Sequence, residues 1–397
     1  MKPRILVNMH YMEIGGAERA LLGLLNAIDT TKVDVDLFLN QHTGEFMKLI
    51  PAKINLLPEI KKYSTLERPI IDILKEGYID IACARILAKI HHCIYRIVNK
   101  PDKNKDASIF QFVAKYTTPL LPSLIGLGEY DLAISFIAPH NIVAKKVSAK
   151  KKIAWIHTDY SAISVNTEME LPVWSLFDYI ISISGDVTSA FLKRFPSLAN
   201  KITEIENILS SDFIKAQAKA FMPKEYECDC IKICSVGRFC DAKNYDNVPY
   251  IAQILKDKGL NFKWYIIGFG DDSLIKENIT KSRTSDKVII LGKKENPYPY
   301  IANCDIYAQP SRYEGKSVTV KEAQILTRPI VITNYTTASS QIDNDVDGII
   351  CDMDNSSIAN ALYDLSNNVQ KRHALSVYLS ENEYGNECET EKLYALI

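Results

Sequence analysis

The chain has 397 residues, enough for two domains of ordinary size. Hydrophobic residues make up 47% and charged residues 24%, a balance typical of a globular protein with a substantial core. A formal net charge of −1 argues against a nucleic-acid-binding protein, which would carry a strongly basic surface. No apolar run approaches the roughly 18–20 residues of a membrane span, and the run after the basic start is too short for a signal peptide.

The cysteines favour a reducing compartment. Nine is an odd number, and Cys234 and Cys304 fall inside apolar runs, so we expect no disulfide framework and predict a cytoplasmic protein. Cys228, Cys230, Cys234 and Cys240 form a cluster, but its spacings are not the C-x2-C pairs of a zinc site. We therefore predict no metal site at this cluster.

In the first half of the chain, apolar strands alternate with helical patterns. Strands are predicted at 4–8, 33–39, 131–136, 152–156 and 179–184, with a helix at 17–28. A mostly helical insertion fills 63–127, and apolar residues at helical spacing predict its main helix at 79–98. Alternation of this kind is typical of a parallel sheet with helices on both faces.

Near residue 205 the pattern starts again. Strands are predicted at 231–236, 263–268, 287–291, 304–308, 330–333 and 348–351, with a helix at 248–258 and helical structure from 354 to the end. The prediction is an α/β protein with two Rossmann-like domains, 1–205 and 206–381. A C-terminal helix at 382–397 completes it.

The most informative stretch is 314–322, which places Glu314 and Glu322 eight residues apart. Glu314 lies in a turn after a predicted strand, and Glu322 lies near the start of a predicted helix. Peptide N–H groups at a helix start form an anion site, and flanking carboxylates suit the hydroxyls of a sugar or ribose. The alternative is structural, because Thr319-x-x-Glu322 is also a capping box.

Two cations follow the first strand of the second half. Arg238 ends the run Ser235-Val236-Gly237-Arg238, and Lys243 comes five residues later. The carboxyl ends of parallel strands face the crevice where ligands bind, and two cations there would stabilise a departing diphosphate. The alternative is two solvated surface charges.

Three weaker motifs accompany these cations. Gly15-Gly16 opens the first helix, where glycine lets a phosphate approach the backbone, although a flexible turn explains the pair equally well. His157 ends the apolar run 153–156 and can donate to a sugar hydroxyl, although a lone histidine is more often structural. Gly268 and Gly270 form a turn after another strand.

In this order the motifs resemble retaining glycosyltransferases of family 4, within the glycosyl transferases group 1. The resemblance rests on GGAE at 15–18, His157, VGR-x4-K at 236–243, G-x-G at 268–270, LG at 291–292 and PS-x2-EG at 310–315. It spans nearly the whole chain except the insertion. It implies the GT-B fold, two Rossmann-like domains that face a central cleft, with the last helix crossing back to the first domain.

The resemblance also implies roles for individual residues. The catalytic set would be Glu314, His157, Arg238 and Lys243. The donor-binding set would be Gly16, Gly268, Gly270, Lys293, Gly315, Lys316, Ser317, Val318, Thr319 and Glu322. Glu314 would orient the hydroxyls of the donor sugar, Glu322 would bind the ribose, and the main chain at Lys293 would frame the base. Many relatives have Phe-Gly where this chain has Lys316-Ser317, so the role of Lys316 stays open.

The implied reaction moves a sugar from a nucleotide-diphosphate sugar, expected to be a UDP-sugar, to a saccharide or lipid-linked saccharide, as in bacterial surface polysaccharide synthesis. The acceptor hydroxyl would attack on the face of the leaving group, and a donor phosphate oxygen would take its proton. No cofactor or metal is expected. The D-x-D pairs at 34–36, 343–345 and 352–354 are interpreted as incidental, since cationic side chains replace the metal.

Basic residues in the predicted helix 79–98 suggest peripheral contact with an anionic membrane. Ordinary solvated charge is the alternative. Two other functions fit the same fold. They are a nucleotide-sugar epimerase and a non-catalytic subunit that binds a nucleotide sugar.

Overall fold

The computed structural model describes residues 2–103 and 105–397. The chain divides into two compact units. Unit 1 contains the residues up to Ile208 together with Glu387–Ile397, and unit 2 contains Leu209–Asn386.

Unit 1 is built on a parallel seven-stranded sheet. Its strands are β1 (Arg4–Met9), β2 (Asp34–Leu39), β3 (Asn55–Leu56), β4 (Tyr130–Ser135), β5 (Ala149–Ile156), β6 (Tyr179–Ser182) and β7 (Ile202–Glu204). The order is β3-β2-β1-β4-β5-β6-β7. The central strands are near-continuous apolar runs because a parallel sheet is covered on both faces. The strand order reverses between β1 and β4, which makes the carboxyl ends of these two strands the expected ligand position.

The helices of unit 1 follow the strands and supply the insertion. They are α1 (Gly16–Ala27), α2 (Lys61–Ser64), α3 (Ile70–Lys75), α4 (Ile79–Asn99), α5 (Ser108–Thr117), α6 (Asn141–Lys146), α7 (Thr167–Trp174) and α8 (Gly185–Arg194). The insertion is helical from α2 to α5, and α4 packs along α5 through contacts of Phe112 with His91, His92 and Tyr95.

Unit 2 repeats the architecture with a parallel six-stranded sheet. Its strands are β8 (Ile231–Val236), β9 (Phe262–Ile267), β10 (Val288–Gly292), β11 (Ile306–Gln309), β12 (Ile330–Thr333) and β13 (Ile349–Cys351), in the order β10-β9-β8-β11-β12-β13. Its helices are α9 (Ser211–Ala218), α10 (Val248–Asp257), α11 (Ser273–Lys281), α12 (Tyr298–Ala302), α13 (Val318–Ile325), α14 (Asn355–Asn367) and α15 (Val369–Glu381). Here the order reverses between β8 and β11.

The prediction of helical structure from 354 to the end is wrong for part of the last segment. After α15 the chain is irregular until α16 (Glu389–Tyr394), which belongs to unit 1. The irregular segment contains Gly385 and Asn386, which favour helices poorly. It is held by side chains: Asn386 accepts from the backbone N–H of Leu209 at 2.7 Å, and Tyr384 donates to Asp347 at 3.1 Å.

One disulfide is present, between Cys228 and Cys230. The sequence predicted no disulfide framework, and this bond between near neighbours does not form one. The two residues lie only two positions apart in the segment before β8, so the bond closes a local loop and links no separate elements. The other seven cysteines are free.

Within residues 2–103 and 105–397, no helix is both long and apolar enough to cross a membrane.

Candidate functional site

Glu314 lies in the loop after β11, at the centre of a polar network in unit 2. Its Oε1 accepts from Lys243 Nζ at 2.5 Å, from Ser311 Oγ at 2.6 Å and from Gln309 Nε2 at 3.0 Å. The side chains of Lys243 and Glu314 are only 17% and 11% exposed. The structure thus brings together two residues that lie far apart in sequence and that the motifs single out independently.

The fold explains why Lys243 and Glu314 are in contact. Lys243 follows β8 and Glu314 follows β11, and these neighbouring strands flank the point where the strand order of unit 2 reverses. Loops after such strands converge at one edge of the sheet. A carboxylate and an ammonium group are therefore held at the expected ligand position of this unit.

Arg312 fastens the two loops to each other. Its backbone N–H donates to the carbonyl of Ala242 at 2.8 Å. Its guanidinium contacts both carboxylate oxygens of Asp246 at 3.0 and 2.7 Å. Paired contacts of this kind fix geometry as well as supply energy. Sequence reasoning missed Arg312, and the only signal was its place between Ser311 and Glu314.

Gln309 sets the orientation of the network and was also missed. Its side chain is completely buried, and its Oε1 accepts from Tyr307 O–H at 2.7 Å. That contact directs Nε2 towards Ser311 at 2.9 Å and towards Glu314. A glutamine ending an otherwise apolar strand was the available signal, because buried polar groups need partners.

The helix after Glu314 begins at Ser317, and the capping-box alternative is wrong. Ser317 is the N-cap of α13 and makes no side-chain cap, while Thr319 lies inside the helix. Glu322 is the fifth helical residue, beyond reach of a reciprocal contact with the cap. Both backbone groups of Ser317 bind Gln341, with N–H to Oε1 at 2.8 Å and O to Nε2 at 3.1 Å.

Glu322 differs from Glu314 in its surroundings. It is fully buried in unit 2, and its Oε1 accepts from Tyr298 O–H at 3.0 Å. Thus the two carboxylates of the 314–322 stretch do not share one environment. Glu314 lies in a charged network, and Glu322 lies inside the protein.

The three predicted site glycines of unit 2 differ in whether packing requires them. A Cβ at Gly268 would lie 1.8 Å from the carbonyl oxygen of Gly237, and Gly270 has φ +128° with Phe239 O at 2.7 Å from the corresponding position. Both glycines are therefore required by the close approach of two loops. At Gly315 a Cβ would meet nothing within 4 Å, so packing does not explain that glycine.

Three predicted cations of unit 2 stay at the surface. Arg238, Lys293 and Lys316 are exposed. Arg238 forms no ion pair with any described residue of 2–103 and 105–397. The ammonium group of Lys293 lies 5.6 Å from the ring centre of Phe269. The structure therefore groups Lys243 with Glu314 and leaves these three side chains facing solvent.

In unit 1, the two glycines at the start of α1 have different surroundings. A Cβ at Gly15 would lie 2.1 Å from the carboxylate of Glu18, whereas at Gly16 it would meet nothing within 4 Å. The atoms near Gly15 form the flexible end of the Glu18 side chain, which can move aside, so packing gives little reason for glycine at position 15. The fold gives no reason for glycine at position 16.

His157 follows β5 and stacks between aromatic rings. Its ring centre lies 4.4 Å from that of Phe136 and 5.9 Å from that of Trp155. Burial lowers the pKa of His157 to about 3, so the imidazole is neutral at physiological pH. Its buried Nε2 has no hydrogen-bond partner in the described part of the chain.

Among the described residues, no group of three or more His, Cys, Asp or Glu side chains is arranged to hold a metal ion. Asp36, from one of the D-x-D pairs, instead binds Arg4 at 2.9 Å and Tyr130 O–H at 2.7 Å.

Comparison with known proteins agrees with this geometry. The family model described as glycosyl transferases group 1 matches residues 223–381, which contain the Lys243–Glu314 pair. The amylovoran biosynthesis glycosyltransferase AmsK of Erwinia amylovora is 29% identical over 281 residues, 63% of this chain and 65% of its own. The N-acetylgalactosamine-N,N'-diacetylbacillosaminyl-diphospho-undecaprenol 4-alpha-N-acetylgalactosaminyltransferase of Campylobacter jejuni is 30% identical over 126 residues, 31% of this chain and 33% of its own. The alignments thus span less than two thirds of these relatives.

Among solved structures, Anabaena HepE in complex with UDP and glucose superposes with a TM-score of 0.64 at 14% identity, covering 99% of this chain and 98% of its own. At that identity the likeness shows the fold. The predicted GT-B fold class, with two α/β units on parallel sheets, is confirmed, as is the predicted resemblance to group 1 glycosyltransferases.

Proposed function

We propose that this chain, whose residues 223–381 match the family model described as glycosyl transferases group 1, transfers a sugar from a nucleotide-diphosphate donor to a saccharide acceptor. The observation that carries the proposal is the Lys243–Glu314 pair at the strand reversal of unit 2. UDP is the proposed nucleotide, supported by the UDP in the superposed HepE structure.

Lys243 and Arg238 are proposed to bind the donor diphosphate. Lys243 lies in the loop after β8 and is held by Glu314, whereas Arg238 is exposed and available to a ligand. Positive charge near the departing diphosphate stabilises the charge that develops there. The start of α13 at Val318 and Thr319 adds backbone N–H groups without a side-chain cap. Gly16 and Gly315 are proposed to let the donor approach the backbone, because packing explains neither glycine.

Glu314 is proposed to orient the hydroxyl groups of the transferred sugar. Its carboxylate is fixed by three donors, so it is preorganised before the substrate arrives. His157 in unit 1 is proposed as a neutral hydrogen-bonding group for a sugar hydroxyl, supported by its lowered pKa and its unpartnered Nε2.

The proposed chemistry retains the configuration of the sugar. The bond from the sugar carbon C1 to the diphosphate oxygen breaks, and the acceptor oxygen bonds to C1 on the same face. The acceptor's proton passes to the departing phosphate oxygen. The chain's residues contribute charge stabilisation and orientation, and no side chain forms a covalent intermediate in this proposal.

The proposed acceptor is lipid-linked, and the proposed membrane contact is the exposed face of α4. The Campylobacter relative is named for a diphospho-undecaprenol substrate. On α4, five isoleucines at helical spacing are 43–73% exposed: Ile79, Ile86, Ile90, Ile94 and Ile97. An amphipathic helix with such a stripe binds in the interface of a bilayer.

Internal contacts change how much charge this helix offers a membrane. Arg85 donates to the carbonyl of Thr65 at 2.8 Å, and His92 binds Asp106 at 3.0 Å. Both side chains therefore face the protein, while Lys89 and Lys100 are exposed. We propose that the isoleucine stripe supplies most of the affinity for an anionic bilayer and that these lysines add a smaller, salt-dependent part.

The donor proposal is tested by thermal shift with UDP, GDP and ADP and their sugars. UDP at 100 times its Kd is expected to add about 2.7 kcal/mol of apparent stability. Sugar transfer from the selected donor to a lipid-linked acceptor is then measured by mass spectrometry. Binding without transfer to any acceptor would favour a binding subunit, and release of free nucleotide without acceptor product would favour an epimerase.

The membrane proposal is tested by flotation with vesicles containing anionic lipid. The double variant Ile90→Gln/Ile94→Gln is expected to lose most binding, while Leu274→Gln, at a 52% exposed leucine of α11 in unit 2, is the matched control. Salt at about 0.5 M should weaken binding of the native chain only partly, because salt screens exposed charges but not apolar contact. Equal binding by all three proteins would contradict the proposal.

A further inference from the structure

A cavity of about 390 Å³ lies in unit 1, and all of its lining residues belong to that unit. Its walls include His10 after β1, Ile137 after β4 and Thr158 after β5, and α5 contributes Ala114. The strand order reverses between β1 and β4, so the cavity occupies the position where sheets of this kind bind ligands. Its volume is within the range of small-molecule sites.

The wall of this cavity is mixed in character. Leu66, Ala114, Ile137, Ile142 and Val165 present apolar surface. Polar side chains interrupt it at several places, among them Asn40, Gln111, Thr117, Thr118, Asn141 and Thr158, and two of these places carry a carboxylate. One is Glu170 with Tyr160, whose O–H lies 3.2 Å from the carboxylate, and the other is His10, whose Nδ1 lies 2.8 Å from Glu67.

This mixture excludes the simplest occupants. A sugar bearing only hydroxyl groups would press several of them against aliphatic side chains, and a hydroxyl buried without a partner is unfavourable. An alkyl chain would desolvate the carboxyl group of Glu170 further and would offer it no hydrogen-bond donor, which is also unfavourable. A ligand that matches the wall needs methyl groups as well as N–H or O–H donors.

Glu170 is suited to accept from such a donor. A carboxylate has about four acceptor positions. Burial raises the pKa of Glu170 to about 7, and hydrogen bonds from Gln111, Tyr160 and Trp174 oppose that rise. The carboxylate therefore has neutral donors around it and lines the cavity directly. A ligand N–H donated to it would complete its coordination.

We propose that the cavity binds an acceptor sugar residue that carries an N-acyl group, with the amide N–H donated to Glu170. The inference rests on the proposed function, since it names the class of acceptor. It places the acyl methyl group against the wall formed by Ala114 and its aliphatic neighbours, and the remaining hydroxyls near His10 and Glu67.

The experiment measures direct binding to the full chain, without any transfer reaction. Methyl N-acetyl-α-glucosaminide and methyl α-glucoside are compared by saturation-transfer NMR and calorimetry. The N-acyl glycoside is expected to bind at least about tenfold more tightly. Ala114→Phe, which fills the cavity, should abolish that binding, and a graded Ala114→Leu should weaken it.

Glu170→Gln keeps the shape of the side chain and removes its charge, and we expect it to weaken the N-acyl glycoside about tenfold. The matched control is Glu168→Gln, an exposed carboxylate two residues earlier on α7 that does not line this cavity. Every variant is also titrated with UDP. Unchanged UDP binding by Ala114→Phe shows that the variant is folded and that unit 2 is intact.

Each outcome decides one question. Equal affinity for the two glycosides, or binding unchanged by Ala114→Phe, overturns the inference. So does competition by alkyl glucosides that strengthens with chain length, which would indicate an alkyl-chain site. If N-acyl binding passes these tests while no sugar transfer is found, the proposed function fails and the cavity assignment stands.

Discussion

Glu314 in unit 2 and Glu170 in unit 1 are both largely buried carboxylates, but they have different partners. Glu314 lies 2.5 Å from the ammonium group of Lys243, so its negative charge is compensated. Glu170 receives hydrogen bonds from neutral groups such as Tyr160 O–H at 3.2 Å, and burial raises its pKa to about 7.

The difference indicates two kinds of ligand. Glu314 is paired with Lys243, and the exposed Arg238 lies five residues before that lysine. Such a group of charges suits a polyanionic ligand. A carboxylate with neutral donors, in a largely aliphatic wall, suits a ligand that is uncharged and partly apolar. This division agrees with the proposal that unit 2 binds a nucleotide-diphosphate sugar and unit 1 binds the acceptor sugar.

The largest expected effect comes from Glu314→Gln, which removes the negative charge that is paired with Lys243. We expect kcat to fall about 100-fold, equivalent to roughly 2.7 kcal/mol, because the sugar loses its fixed carboxylate. UDP affinity should stay nearly constant, since Lys243 remains. Steady-state kinetics and UDP calorimetry measure the two quantities.

The matched control for this change is Glu277→Gln, which breaks another Glu–Lys pair of unit 2, the one with Lys281 on the exposed face of α11 at 2.6 Å. It should leave kcat unchanged. If Glu314→Gln and Glu277→Gln have equally small effects, the assignment of Glu314 to the sugar is wrong.

Arg312→Lys tests whether the loops around Glu314 must be held in place. Lysine keeps the charge but loses the paired contact with Asp246, so the Lys243–Glu314 geometry should loosen. We expect kcat to fall about tenfold, roughly 1.4 kcal/mol, with a smaller change in the donor KM. A lower Tm with unchanged kcat would show that Arg312 serves stability alone.

The sequence predicted most of this architecture because apolar strands and helical spacing are local patterns. The strands at 231–236 and 330–333 have the predicted bounds, while the short strands β3 and β7 were missed because two or three residues carry no period. Motifs also singled out Lys243 and Glu314 separately.

Their partners could not be found in this way. Gln309 and Gln341 act through contacts set by tertiary structure, and Gln341 binds Ser317 from a position 24 residues later. Periodicity also could not show that Arg85 and His92 face the protein. Some polar residues of α4 face solvent, whereas these two contact other parts of the insertion, and helical spacing alone does not separate the two groups. The spacing of apolar residues locates helices and strands, but the contacts between distant side chains are known only from the folded structure.

Glu322→Gln extends the comparison to a second carboxylate of unit 2. Glu322 is fully buried and, like Glu170, accepts a hydrogen bond from a tyrosine hydroxyl. If it binds the ribose, the variant should weaken UDP about fivefold, roughly 1 kcal/mol. Calorimetry with UDP is read beside a melting curve. A lower Tm with unchanged UDP affinity would assign Glu322 to the core instead, and the ribose would need another partner.

The smallest expected effect concerns stability around Glu170. Its pKa is about 7 in the folded protein and near 4.5 for an unburied carboxyl group, so the native state binds the extra proton between these values. Stability contributed by this group is therefore present below about pH 4.5 and is lost as pH rises towards 7. Glu170→Gln does not titrate, so its Tm relative to the native chain should rise by a few degrees between pH 5 and pH 8.

Other titrating groups must be separated from this effect. His140 packs against Trp174, and Lys115, Lys145 and Glu168 line the adjoining cavity that Glu170 also borders. All of them remain in both proteins when Glu170→Gln is compared with the native chain, so their contributions cancel to first order. Glu168→Gln, at an exposed position, should show no such pH-dependent gain. A constant Tm difference for Glu170→Gln from pH 5 to pH 8 would mean that Glu170 is ionised throughout, and the contrast with Glu314 would then disappear.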